Sequence, residues 1–454
     1  RRVVRCVVGG SSDLLTVDEA TVFAACLVGA QVYGNLAIRR GNIRIKTWIA
    51  GSVDGDVVCD DVSITAQNLV QEAVAGVLTI TGGRVRLSGV LAKTVHVGIV
   101  VTDVVLQAVS LVSDSLSAPI TLTGAATDIV LEKEAVGGAL QSFMVTGGTR
   151  LQAESITPSH IAIGLTVTGT STRVGCSGVA IGGDAADVTI SDSATLHVTS
   201  SLVSGRLTGG LRVVSNGTLV GHNGVVGRLH ELHVGETGVV NMTGTLAMGD
   251  VDVLLLAPGA QVSVGTGFRG AVPHFDLAGV TLNAVNDLIA GESPSLKLRN
   301  CSVTVGGKVL RGGAQDVFIA DSSFVQCVSL ISYASNAVSL SDSTVLAQYA
   351  VTEQNCEHFT VENSTVSAGQ LSMHRIDALS MSSSVFTGER MSRAAASMTI
   401  SQSTITVLES TTEQTATYII RTSKLTASGV CVRITGGALL VVHDSDLTCG
   451  VIVA

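Results

Sequence analysis

Val317-Phe318-Ile319-Ala320-Asp321-Ser322-Ser323-Phe324 is followed 21 residues later by Val338-Ser339-Leu340-Ser341-Asp342-Ser343-Thr344-Val345, and then by Phe359-Thr360-Val361-Glu362-Asn363-Ser364-Thr365-Val366. Each phrase reads apolar, any residue, apolar, three or four polar residues, apolar. Side chains that alternate over three residues form a short half-buried strand, and the polar break after them is a turn. Onward, the phrase recurs at Leu379, Met398, Tyr418 and Leu440. Backward, it begins at Leu296, Phe275, Leu254, Leu232, Leu211, Val188, Leu165, Phe143, Ile120, Ile99, Leu78, Val57, Leu36 and Leu15, with gaps of 19 to 23 residues.

A single such coil cannot bury its apolar face. Stacked coils can, when each strand pairs with its equivalent above and below at ~4.8 Å. The period therefore predicts an all-β fold, a right-handed parallel β-helix (β-solenoid) of about 21 coils of roughly 21 residues. The left-handed form would need a stricter hexapeptide period. Val, Gly, Ser and Thr stay evenly mixed from end to end, so residues 1–454 are expected to form one continuous β-helix without a linker. Hydrophobic residues make up 46% of the chain and aromatics 3%, so Val, Leu, Ile and Ala must fill a narrow core.

Composition also narrows the function. Apolar runs break within about ten residues, short of the ~18 needed to span a bilayer, so no membrane segment is expected. The net charge of −9 is spread along the chain without a Lys/Arg run, which argues against nucleic acid as a partner. The chain opens on Arg1-Arg2-Val3-Val4 rather than Met. It is read as a fragment of a longer parent protein, with end caps, targeting and anchoring signals elsewhere.

Five residues after each late anchor stands a serine: Ser322, Ser343, Ser364, Ser384, Ser403, Ser423 and Ser445. Stacked at one corner, these hydroxyls can donate and accept, and so satisfy the backbone at the bend. The nine cysteines show no metal-ligand spacing. Cys26, Cys176, Cys327 and Cys449 share an inward register and read as small core residues. Cys301, Cys327 and Cys356 sit at offsets too different for bridging, and Cys431 with Cys449 is the pair best placed for a disulfide. Four N-glycosylation sequons occur, at Asn216, Asn241, Asn300 and Asn363.

The phrases Leu298-Arg-Asn-Cys-Ser-Val303, Phe318-Ile-Ala-Asp-Ser-Ser-Phe324 and Val361-Glu-Asn-Ser-Thr-Val366 resemble the β-helical repeats of the pectin-lyase-like superfamily, over nearly the whole chain. The Val, Ser, Gly and Ala bias with low Lys resembles the large surface proteins of the trypanosomatid dispersed gene family. The first resemblance implies a right-handed β-helix. The second implies a glycosylated, adhesin-like ectodomain held by a distant C-terminal membrane segment.

Many β-helices cleave acidic polysaccharides, so an enzyme is the rival reading. Hydrolysis needs two carboxylates a few ångströms apart. The richest acidic patch is Asp54, Asp56, Asp60 and Asp61, one coil after Arg44 and Lys46. Arg44-Ile45-Lys46 resembles the Arg-Ile-Lys motif of polygalacturonases, Asp60-Asp61 their paired aspartates, and Gly221-His222-Asn223 their Gly-His-Gly. The order departs from that family. The basic fragment comes first here, His222 lies about seven coils further on, and the Asn-Thr-Asp motif is missing. A calcium site would need several carboxylates on adjacent coils, and this patch is its one candidate.

His230 and His233, three apart, are expected on opposite faces of a strand and do not match a helical zinc motif. With eight Phe, four Tyr and one Trp in all, aromatic sugar platforms are sparse. The outward residues between anchors vary too much for a regular Thr array. The expectation is a non-catalytic β-helical segment of a cell-surface or secreted protein, with no cofactor. It would serve as stalk and lateral binding surface for a glycan or protein ligand. The alternatives are a lyase or hydrolase acting on an acidic glycan, and a purely structural spacer.

Overall fold

A computed structural model describes residues 4–453, and the side-chain surroundings of all of these except 4–5, 409–416, 431–438 and 451–453. The chain is an all-β parallel solenoid of about 20 turns at roughly 21-residue spacing. Its residues gather into two compact units. The first comprises Arg1–His230 with Thr237–Met242, the second Glu231–Glu236 with Thr243–Ala454.

One coil of the first unit shows how the pattern becomes structure. Leu36–Arg39 is a strand with Leu36 and Ile38 buried and Arg39 exposed. The chain turns at Arg40, whose φ of 49° is left-handed. It continues as Asn42–Ile45, with Ile43 and Ile45 inward, and closes through Trp48–Ala50 and Ser52–Val53. Inward residues meet those of the coils above and below. Leu36 pairs with Val57, Val57 with Leu78, Leu78 with Ile99, Ile99 with Ile120, and the column runs on through Phe143, Leu165 and Val188 to Leu211. In the second unit, Phe275, Leu296, Val317, Val338, Phe359, Leu379, Met398, Tyr418 and Leu440 stack in the same way. Each fully buried Val, Leu or Ile contributes about 1.5–3 kcal/mol. The largest fully buried side chains are Tyr418 and five Phe, so nearly half of the few aromatics are core.

The left-handed residue after the first strand recurs coil after coil, at Glu19, Arg40, Asp61 and Asp103 in the first unit and at Asn300, Asp342, Asn363, Ser383, Gln402, Thr422 and Asp444 in the second. For a residue other than glycine this conformation costs of order 1–2 kcal/mol. Hydrogen bonding along the stack offsets it: Arg40 N–H donates to the Asp60 carbonyl at 2.8 Å, and Gln402 N–H to the Arg421 carbonyl at 3.0 Å.

Cys26 departs from the expected free core thiol. It pairs in parallel register with Cys6 and forms a disulfide with it, at a Cα separation of 4.5 Å. Stacking places equivalent positions face to face, so two cysteines 20 residues apart meet bridging geometry with no local motif to announce it. Cys59, Cys176, Cys301, Cys327 and Cys356 are free and buried. Cys449 is disulfide-bonded. The expected Cys431–Cys449 pairing lies outside the described residues.

Candidate functional site

The structure disperses the acidic patch. Asp54 and Asp56 precede the strand Val57–Ala66, and Asp60 and Asp61 come after its first buried segment. Asp54 Oδ1 accepts from Gln31 Nε2 at 2.6 Å. Asp56 belongs to the stack, since its N–H donates to Asn35 Oδ1 at 2.9 Å and its own Oδ1 accepts the Val77 N–H at 2.8 Å. Asp60 stacks on Arg39 and Thr81, and Asp61 is the left-handed corner residue. Arg44 lies on the next face, aligned with Phe23 and Thr65. Its guanidinium sits 5.6 Å from the Phe23 ring centre. Lys46 lies one residue past that strand. These six residues therefore do not converge, and Asp56 and Asp61 have structural duties that account for them.

His230 and His233 both face outward to some degree, contrary to the opposite faces expected of a regular strand. Leu229 and Leu232 are both buried, so the intervening pair takes up one extra residue as a bulge does. Among the described residues no group of three or more His, Cys, Asp or Glu could hold a metal ion.

The serine corner is a ladder, with one change of membership. Ser343 N–H donates to Ser364 Oγ, Ser364 N–H to Ser384 Oγ, Ser384 N–H to Ser403 Oγ, Ser403 N–H to Ser423 Oγ, and Ser423 N–H to Ser445 Oγ, all at 3.1–3.2 Å. Each hydroxyl donates in turn to the carbonyl two residues before it, as Ser364 does to Glu362 at 2.7 Å. The hydroxyls thus bond through the backbone rather than to one another.

Ser322 stands outside this ladder and Ser323 takes its place, accepting from Cys301 N–H at 3.2 Å. Asp321 and Ser322 are both left-handed, a two-residue turn that shifts the buried position by one. Cys301 occupies the same corner, its thiol donating to the Arg299 carbonyl at 3.2 Å. Counting five residues from the anchor Leu296 reaches Cys301, whereas counting five from Val317 reaches Ser322 and misses Ser323. The pairing of Ser302 with Phe324 puts Ser323 in register with Cys301.

The four sequon asparagines are exposed. Asn216, Asn300 and Asn363 occupy left-handed turns, and Asn241 lies in the strand Val239–Ala247. Asn363 Nδ2 donates to Asp342 Oδ1.

One surface was not anticipated. On the second face of the first unit, strands Asp128–Leu131, Arg150–Ala153, Arg173–Cys176 and Thr195–Val203 run parallel. Arg150 stacks on Arg173, and Gln152 on Gly175, which stacks on His197. Glu132 and Glu154 are each the first residue past their strands. Two adjoining hollows of about 340 and 310 Å³ meet over Gly175. The arginines line one end and the glutamates the other.

Gly175 has no left-handed φ, and a Cβ there would meet nothing closer than the Leu151 carbonyl at 3.9 Å. A glycine inside a strand costs roughly 0.5–1 kcal/mol against alanine, and no close contact or backbone twist requires this one. Such a position suits the close approach of a ligand. Around it, Arg150, Arg173, Gln152, Glu132, Glu154 and His197 are exposed, and none of their side chains has a hydrogen bond or ion pair within the described residues. Some charged groups elsewhere are paired within the fold, as Arg40 with Asp18 at 3.0 Å and Glu19 at 2.8 Å, and Lys308 with Glu353 at 2.7 Å.

Comparison of the chain with family models, with curated proteins and with solved structures returns no match.

Proposed function

We propose that this chain is a non-catalytic solenoid segment of an adhesin-like protein, cell-surface or secreted, that acts as a stalk and binds a glycan or protein through the face carrying Gly175. The observation that carries the reading is the trough itself, where unpaired charged groups of both signs converge on a strand glycine that the fold does not need. The candidate catalytic carboxylates, by contrast, are spread over separate turns or hydrogen-bonded into the stack. The exposed sequons are compatible with a secretory route, and the repeat phrases with a distant pectin-lyase-like ancestry.

Binding of the purified chain to glycan and peptide arrays and to intact cells tests the reading, with Gly175→Leu as the matched variant. A leucine fills the hollow while its Cβ has room, so folding is retained and binding is expected to fall at least tenfold. Equal binding by both proteins would remove the trough from the account. Calcium-dependent cleavage of polygalacturonate that Asp60→Ala and Asp61→Ala abolish would replace it with the lyase or hydrolase reading.

A further inference from the structure

The trough's charges specify more than a generic partner. Arg150 and Arg173 stand on adjacent coils, ~4.8 Å apart along the stack, and two guanidiniums at that spacing favour one anionic group between them. Glu132 and Glu154 occupy equivalent positions on adjacent coils at the other end. Two carboxylates so close repel each other until a cation lies between them, and a sugar hydroxyl brings no charge to do this. The ligand that fits is therefore one with a negative and a positive group at a fixed distance.

That distance follows from strand geometry. Arg150 to Glu154 is four residues along one coil, ~13 Å at the rise of an extended chain. Midway stand Gln152 and, on the next coil, Gly175. An extended peptide laid along the strands has the same rise, so its side chains at positions j, j+2 and j+4 all point towards the sheet. The first meets the arginines, the second enters the hollow over Gly175, and the third meets the glutamates. Gln152 and His197 flank the hollow on either side and offer hydrogen-bonding groups to the peptide backbone.

Resting on the binding role proposed for this face, we propose that the occupant is an extended segment of a partner protein carrying an acidic side chain and, four residues away, a lysine or arginine. The recognition is electrostatic at both ends and steric in the middle, so it weakens with salt.

A peptide array in which Asp and Lys are placed two, three, four or five residues apart in an otherwise Ser/Thr sequence tests this, probed with the full chain. Binding is expected to peak at a spacing of four. At three the two charges lie on opposite sides of the peptide, and at least a tenfold loss is expected. Arg150→Ala with Arg173→Ala, and Gly175→Leu, should each abolish the preference for four; melting curves matched to the parent chain show that the variants fold. Binding indifferent to spacing, or unchanged in Gly175→Leu, would overturn the proposal. If the trough instead retains a uronate or sialylated oligosaccharide and no peptide, the peptide inference falls while the binding role stands. Retention of neither class on the array or on cells would remove both.

Discussion

A coil in the first unit and a late coil in the second solve the same closure problem differently. From Leu36 to Val53 the chain is cut into four short strands. From Thr365 to Ser382 it is one strand, and the next three coils are single strands of 17 to 20 residues, interrupted only at the serine corner. Every bend removes backbone groups from the sheet ladder, and each buried one needs a partner. The first unit bends at several points and supplies partners case by case. Asn35 and Asp56 accept N–H groups of the next coil, and Thr172 Oγ1 accepts from Gly148 N–H at 3.0 Å while donating to the Thr168 carbonyl at 2.8 Å. Gly51 lets the chain pass where a Cβ would overlap the Ala30 carbonyl. The late coils of the second unit bend sharply once per coil and supply one repeated answer, a buried serine. Where a solenoid varies its corners the sequence looks irregular, and where it standardises them the sequence shows a ladder.

The largest effect expected on this comparison comes from what the two units share, their core thiols. Burial pushes Cys59 and Cys176 in the first unit and Cys327 in the second up to about 12, against about 8.5 in an unfolded chain. Above pH ~8.5 the unfolded chain releases protons that the folded chain keeps. Stability is therefore full below that pH and falls as pH rises towards 12, by about 1 kcal/mol per thiol per pH unit. Urea unfolding at pH 7.5 and 10.5 measures this. A variant with all three cysteines changed to alanine should show a flatter dependence, and an unchanged fall would mean that other groups carry it.

Next in size is the ladder itself. Ser364→Ala leaves the buried Ser343 N–H without its acceptor and the Glu362 carbonyl without its donor, at a cost of about 1–3 kcal/mol. Adding Ser384→Ala removes a neighbouring rung, and the two losses are expected to couple rather than add. Hydrogen exchange at the Ser343 and Ser364 amides reads the effect where it arises; protection unchanged in the double variant would show the ladder to be idle.

The smallest effects fall at its upper end. Ser322→Ala touches an exposed turn residue and should change stability by less than about 0.5 kcal/mol, whereas Ser323→Ala should match Ser364→Ala. If the two outcomes were reversed, Ser322 rather than Ser323 would be the residue seated in the corner. Cys301→Ser exchanges a weak donor for a strong one at the same position and should leave unfolding at neutral pH unchanged or slightly improved.

The strand columns are legible in the residue spacing alone, because inward residues must be apolar and must recur once per coil. Every anchor from Leu36 to Leu211, and from Phe275 to Leu440, pairs as the spacing predicts. The serine ladder is legible from Ser343 onward for the same reason. It fails at Ser322 because an inserted turn residue changes the count without changing the register. The acidic patch misleads because adjacency in sequence puts Asp54, Asp56, Asp60 and Asp61 together, whereas a coil carries its residues round successive corners. The trough is invisible in the sequence for the converse reason. Its parts lie about 22 residues apart, and Gly175 is one of 50 glycines, distinguished only by lying inside a strand with room for a side chain.

The sequence by itself determined that this chain coils, at what period, and which residues face the core, since burial of a repeated apolar column is a one-dimensional constraint that composition and spacing express directly. Only the tertiary structure decided what the outward residues are for. The seating of Ser323 rather than Ser322 in the corner, a disulfide between Cys6 and Cys26, and two charged pairs facing each other across a glycine all depend on how one coil stacks on the next. An offset of a single residue there moves a side chain from surface to core or from one neighbour to another.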